Sequence, residues 1–213
     1  MEIPQEGKYV CKLNGQLVIY EATTGSLCAA VPCVMAAPSG NEGFTFKHTM
    51  VLVKADGTIQ TKTTDTLKAV FKTKSPVIIY PASGTGAWEA ALVNTLSPGD
   101  RVLAFETGEF ARLWAELAKR LGLEVEVVHT DWRGAVDPEL LEGVLRGDHD
   151  KRIKAVMVVH NETSTGATTR MAAIRKAIDA AAHPALLLVD AVSSLGSIDL
   201  RHDEWGIDVT LSG

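Results

Sequence analysis

The 213-residue sequence is short of most features that would set it apart from an ordinary globular protein. No apolar run approaches the ~18–20 residues that span a bilayer, so no membrane partner is expected. The opening MEIPQEGKYV lacks the basic and apolar regions of a signal peptide. No repeat or low-complexity linker is present, which excludes collagen-like chains, and an apolar content of 46% excludes disorder. Basic charge is in deficit, with 21 Lys and Arg against 26 Asp and Glu, so no nucleic-acid partner is expected either. Cysteine is scarce. Cys11, Cys28 and Cys33 are odd in number and lack metal-type pairing, so the expectation is reduced thiols, no metal site and a cytoplasmic location.

What is present is unevenly distributed. All three cysteines precede Thr63, and Trp88, Trp114, Trp132 and Trp205 all follow it. Residues 1–63 balance five basic against five acidic side chains, so the whole net charge of -5 belongs to the remainder. The first stretch reads as strands. Asn14-Gly15 lies between two β-prone runs, and Asp56-Gly57 repeats the arrangement after the near alternation of Phe44, Phe46, Val51 and Val53. A small antiparallel β-module over residues 1–63 is predicted, with a loop at 38–43. His48 stands alone there and is read as a surface or strand histidine.

Residues 64–213 alternate helix and strand in the manner of a parallel sheet. Helices are predicted near 65–71, 87–95, 110–121, 137–146 and 170–182. Strands are predicted at 77–80, 101–105, 125–129, 155–160, 185–190 and 207–211. Asp137-Pro138 is an N-cap followed by proline at the first helical position. Phe110, Leu113, Trp114, Leu117 and Leu121 recur at helical spacing.

Ligands of such sheets bind at the carboxyl ends of the strands, and three features converge there. Ser83-Gly84-Thr85-Gly86 joins a predicted strand to a helix, where bare glycines and outward amides suit a phosphate. The same four residues also suit a plain tight turn, and they match neither a dinucleotide fingerprint nor a Walker A loop. Asp190 ends the apolar run ALLLVD, so its carboxylate needs a capping partner or a cation. His160 to Gly166 gathers hydroxyl and amide groups in a third strand-end loop.

Taken in order, YPASGTGAWEAALVNTLSPGDRVL (80–103), VVHNETSTG (158–166), HPALLLVDAVSSLGSID (183–199) and DEWGIDVTLSG (203–213) resemble the class V aminotransferases of the fold-type I pyridoxal-phosphate enzymes, nearest to the serine–glyoxylate members. The resemblance covers about residues 66–213 and implies part of a fold-type I large domain with pyridoxal 5′-phosphate as cofactor. It implies that Ser83, Gly84, Thr85 and Gly86 hold the phosphate, that Phe110 stacks on the ring, and that Thr163 approaches the ring hydroxyl. Asp190 would pair with the ring nitrogen as the catalytic carboxylate, and Val192 would pack beneath the ring. A carboxylate there keeps the nitrogen protonated, so the ring serves as an electron sink. Phe110 also has the phase of a core residue, and Trp88 and Trp114 are read as packing. Such an enzyme moves an amino group from serine or alanine to glyoxylate, its amino-acid and 2-oxo-acid substrates, and works as a homodimer.

Two departures from the family accompany this resemblance. Members continue IDVTLSG with Ser-Gln-Lys, whose lysine holds the cofactor, whereas the sequence ends at Gly213, three positions short. The small domain and the arginine that usually binds the substrate carboxylate also fall outside it, and residues 1–63 carry no family resemblance. A non-catalytic chimera or fusion, with a β binding module joined to an aminotransferase fragment near 67–73, is the rival expectation. A nucleotide-binding α/β domain is a third, disfavoured for want of an acidic residue in a ribose-binding position. The leading reading predicts that this chain, incubated with cofactor and serine, forms no pyridoxamine phosphate above the free-cofactor background. Stoichiometric labelling of one lysine with turnover would overturn that.

Overall fold

The computed structural model describes residues 8–13, 16–21, 50–53, 59–60, 62–78 and 82–213, with side chains from residue 67 onward. The described residues divide into two units, one drawn from 1–69 and 75–79, the other from 70–74 and 80–213.

In the first unit, β1 (Lys8–Leu13), β2 (Gln16–Glu21), β3 (Met50–Val53) and β4 (Ile59–Gln60) form an antiparallel sheet in the order β2-β1-β3-β4. Leu13 pairs with Gln16, and Val53 with Ile59. The expected turns at Asn14-Gly15 and Asp56-Gly57, the loop at 38–43, His48, Cys28 and Cys33 lie outside the described residues. Helix α1 (Lys62–Phe71) follows, beginning three residues before the predicted helix.

The second unit runs α2 (Gly84–Thr95), β5 (Arg101–Glu106), α3 (Glu109–Arg120), β6 (Glu124–His129), α4 (Pro138–Gly147), β7 (Ile153–Val159), β8 (Asn161–Glu162), β9 (Ala167–Thr168), α5 (Met171–Ala180), β10 (Leu186–Asp190) and β11 (Val209–Leu211). Five strands form an all-parallel sheet in the order β11-β10-β7-β5-β6, as the alternation of strand and helix predicts. The fold is therefore α/β, with a parallel sheet, the antiparallel sheet of the first unit and a short antiparallel pair, β8-β9. One expectation fails: Val77 and Ile78 are not strand, and Ile79 and Tyr80 lie outside the described residues. A β-branched run has strand propensity, but partners decide whether a strand forms.

Successive residues of the inner strands serve opposite faces of the sheet. Val156, Val158, Leu187 and Val189 pack with Leu141, Leu145, Ile174 and Ile178 of α4 and α5. Ala155, Met157 and Leu188 pack on the other side with Trp88, Leu92 and Trp114 of α2 and α3. Helices thus cover both faces, which is why these strands read as continuous apolar runs. Asp137 caps α4 as predicted, its Oδ1 accepting from the Glu139 N–H at 2.9 Å. No described helix is long and apolar enough to cross a membrane.

The amino ends of β7 and β10 are tied together by a polar link. His183 Nδ1 accepts from the Ala185 N–H at 3.1 Å, so Nε2 carries the proton and donates to Asp148 Oδ2 at 3.1 Å. The same oxygen accepts from the Ile153 N–H at 2.7 Å. Burial pushes the Asp148 carboxyl up, but the Ile153 and Arg152 N–H groups and His183 outweigh it and hold it below the usual aspartate range. A depressed acid contributes stability above its unfolded pKa and loses it as pH falls through the folded one, so this contribution fades below about pH 4. Asp148→Ala leaves these donors without their acceptor and should cost roughly 1–3 kcal/mol. Urea unfolding checks this, and an unchanged midpoint at neutral pH would mean that the link carries no stability.

Candidate cofactor site

Because the strands are parallel, β5, β7, β10 and β11 deliver their carboxyl ends to one edge of the sheet. Asp190 is the last residue of β10, in register with Val159 of β7 and Leu211 of β11. The backbone continues the ladder past it, with His160 N–H donating to Asp190 O and Ala191 N–H to Leu211 O, both at 2.8 Å. The strand therefore carries the side chain into the interior, where the residue is 4% exposed.

Two protein donors meet this carboxylate. The Val192 N–H donates to Oδ1 at 2.8 Å, and the Trp88 indole Nε1–H donates to Oδ2 at 2.6 Å. Burial pushes the Asp190 carboxyl above the usual range, the Val192 and Trp88 donors pull it back, and the negative charge of Glu162 adds to the rise. Among the described residues no cation pairs with Asp190. Such a group suits a protonated nitrogen brought in by a ligand.

Helix α2 begins three residues before the predicted start, so Gly84, Thr85 and Gly86 are its first turn and Ser83 its N-cap. The Ala87 N–H is the first to find a carbonyl, that of Ser83 at 3.1 Å, and the Ser83 side chain makes no cap bond. The N–H groups of the first turn have no intrahelical acceptor, the arrangement that takes an anion. Close approach explains the glycines. A Cβ on Gly84 would lie 3.0 Å from Val192 Cγ2, and one on Gly86 would lie 2.6 Å from Ala82 Cβ.

Gly84 and Trp88 are one helical turn apart and share a face. Trp88 stacks on Trp114, with centroids 6.2 Å apart at 17°, and meets Phe110 edge-on at 6.5 Å and 64°. Phe110 is not core, contrary to the phase reading, because 39% of it is exposed. Val192 is equally exposed at 39%. One apolar side chain from α3, against Trp88, and one from the loop after β10 thus remain open.

Thr163 is exposed in the turn between β8 and β9. It is flanked by Glu162 and Ser164, which both bind the first turn of α3. Glu162 is fully buried, and its carboxylate accepts from Ala111 N–H at 3.0 Å, Phe110 N–H at 3.4 Å and Ser164 Oγ at 2.7 Å. Ser164 Oγ accepts in turn from the Glu109 N–H at 2.9 Å. Gly108 leaves the space for this, since a Cβ there would lie 2.4 Å from Glu162 Cγ. The loop that carries Thr163 is therefore fastened to the helix that carries Phe110.

The structure brings Asp190, Val192, Gly84 and Phe110 together around Trp88, and it adds two residues that sequence reasoning missed. The Trp88 N–H to Asp190 went unread because an indole in an apolar helix looks like packing. Glu162 had a readable signal: α3 opens on Gly108-Glu109, with no Ser, Thr, Asp or Asn to cap it, so the cap has to come from elsewhere.

The aminotransferase class-V family model matches residues 42–213, starting earlier than the motif blocks do. A serine–glyoxylate aminotransferase of Methylorubrum extorquens is 53% identical over 149 residues, covering 70% of this chain and 37% of that protein. An L-aspartate–glyoxylate aminotransferase of Paracoccus denitrificans is 48% identical over 148 residues, 69% of this chain and 37% of its own. The crystal structure of an alanine–glyoxylate aminotransferase from Nostoc sp. superposes with a TM-score of 0.64 at 33% identity, covering 70% of this chain and 38% of that one. The chain therefore spans a little over a third of the length of these proteins.

Removing the Glu162 carboxylate strips the α3 amides of their acceptor. Glu162→Ala should lower stability by roughly 2–3 kcal/mol, a lost cap combined with lost charge-assisted hydrogen bonds. It should also raise hydrogen exchange at Phe110 and Ala111. Unchanged exchange there would show that α3 is held by something other than Glu162.

Proposed function

Since this chain belongs to the class V aminotransferase family, whose members depend on pyridoxal 5′-phosphate, we propose that the edge described above is the cofactor site of a glyoxylate aminotransferase. The first turn of α2, with the Ser83 and Thr85 hydroxyls and the Gly84 and Gly86 amides, holds the phosphate. Phe110 covers one face of the ring and Val192 the other. Thr163 meets the ring hydroxyl, and Asp190 the ring nitrogen. The observation that carries this is Asp190 itself: a buried carboxylate at a strand end, hydrogen-bonded on both oxygens and paired with no cation among the described residues.

The bound cofactor supplies an electron-withdrawing ring conjugated to the α-carbon of the amino acid. The chain's contribution is electrostatic and geometric. Asp190 keeps a proton on the ring nitrogen, and its low-polarity surroundings make that pairing worth more than it would be in water. The α2 amides neutralise a dianion without an ammonium group. Phe110 and Val192 confine the ring to one plane and keep water from its faces.

The acceptor proposed is glyoxylate, the element common to the names of all three relatives. The donor proposed is serine or alanine, and the full protein is proposed to work as a cytoplasmic homodimer. Equilibrium titration with pyridoxamine phosphate, which has the ring and phosphate but no reactive aldehyde, tests the site in this chain. Asp190→Ala should weaken binding by roughly 2–4 kcal/mol, the range for breaking a buried hydrogen-bonded charge pair. Unchanged affinity would mean that the ring lies elsewhere.

A further inference from the structure

We infer that Trp88 is a positioning residue for Asp190, its indole N–H holding one carboxylate oxygen so that the group stays ionised and fixed for the ring nitrogen. This rests on the cofactor site proposed above but makes a separate claim about a residue that touches neither ring nor phosphate in that proposal. Trp88 is 5% exposed, and its Nε1 is 2.6 Å from Asp190 Oδ2. The other oxygen is held by the Val192 N–H, so the indole is the only side-chain donor that the described residues give to this carboxylate.

The chemistry of the donor matters. An indole N–H donates, cannot accept and does not titrate in the physiological range. It therefore favours the charged form of Asp190 without offering the proton a second resting place. A lysine or histidine there would compete with the ring nitrogen as the cation. The indole is itself immobilised, stacked on Trp114 and met edge-on by Phe110. Trp114 supplies a built-in contrast, since it belongs to the same aromatic stack but its Nε1 is buried without a hydrogen-bond partner among the described residues.

Other titratable groups surround Asp190. Glu162 of β8 bears a negative charge that disfavours ionisation of Asp190. His160, past the end of β7, gives Asp190 O its backbone N–H, while its ring nitrogen Nδ1 lies 2.9 Å from Ser194 Oγ. Neither donates to the Asp190 side chain, so among the described residues only Trp88 and Val192 counter the burial.

Carboxyl-carbon NMR of the unliganded chain reads the Asp190 ionisation directly. Trp88→Phe keeps an aromatic ring and deletes the donor, so the Asp190 inflection should move up by roughly one pH unit or more, the size of one hydrogen bond to a charged group. Trp114→Phe should leave it in place. An unmoved inflection in Trp88→Phe, or an equal displacement in Trp114→Phe, overturns the inference. If Trp88→Phe fails to fold, the unsubstituted chain decides. Its Trp88 indole N–H resonance should shift in step with Asp190 ionisation, and that shift should vanish in Asp190→Asn. A resonance indifferent to Asp190 overturns the inference equally. Pyridoxamine phosphate titrated across pH separates this from the wider proposal. In Trp88→Phe the affinity should fall about tenfold at the acid end, following the displaced inflection. An inflection that moves while the affinity profile does not would overturn Asp190 as the partner of the ring nitrogen, and with it the cofactor-side role of Trp88.

Discussion

A carboxylate driven into an apolar interior costs several kcal/mol even after relaxation, and much of this molecule's second unit is arranged around that constraint at Asp190. Strand β10 brings the side chain in because its backbone ladder with β7 and β11 runs to the last residue. The compensation then comes from opposite directions. The chain turns back after Ala191 so that the Val192 N–H reaches one oxygen, and α2 lies close enough for Trp88 to reach the other. Having turned back, Val192 approaches the start of α2 so closely that a Cβ at position 84 would lie 3.0 Å from its Cγ2. Carboxylate, helix start and open valine are thus consequences of a single burial.

Glu162 is also fully buried, but its environment sets it to different work. Its oxygens are taken up by the amides of α3 and by Ser164, at the positive end of a helix dipole. It is a structural carboxylate with its needs met inside the protein. Asp190 keeps lone pairs that the described residues do not occupy. The contrast separates an acid whose hydrogen bonds are met inside the protein from one that keeps acceptor capacity.

The parallel sheet and its helices were legible because continuous apolar runs and 3.6-residue periodicity are local properties of the chain. Asp190 and the Gly84–Gly86 turn were legible for a similar reason, since strand ends and helix starts announce their chemistry in a few residues. The early start of α2 was hidden because glycine is a poor helix former, and only the Ala87 N–H bond to Ser83 O shows that the turn is helical. Val77-Ile78 was misread because strand propensity without a pairing partner does not make a strand. The bonds of Trp88 to Asp190 and Glu162 to Ala111 join residues 102 and 51 positions apart, and no local rule reaches that far.

The contact between Gly84 and Val192 acts as a gauge. It presses the amide-rich start of α2 against the side chain that offers an apolar face, with no residue interposed. Any molecule that puts an anion on one and a flat ring on the other has its two ends held at a spacing set by van der Waals radii. A longer tether between ring and anion would have to buckle or lift off the valine. In the proposed cofactor site, selection by length would follow from this close approach, independently of which polar groups read the ring.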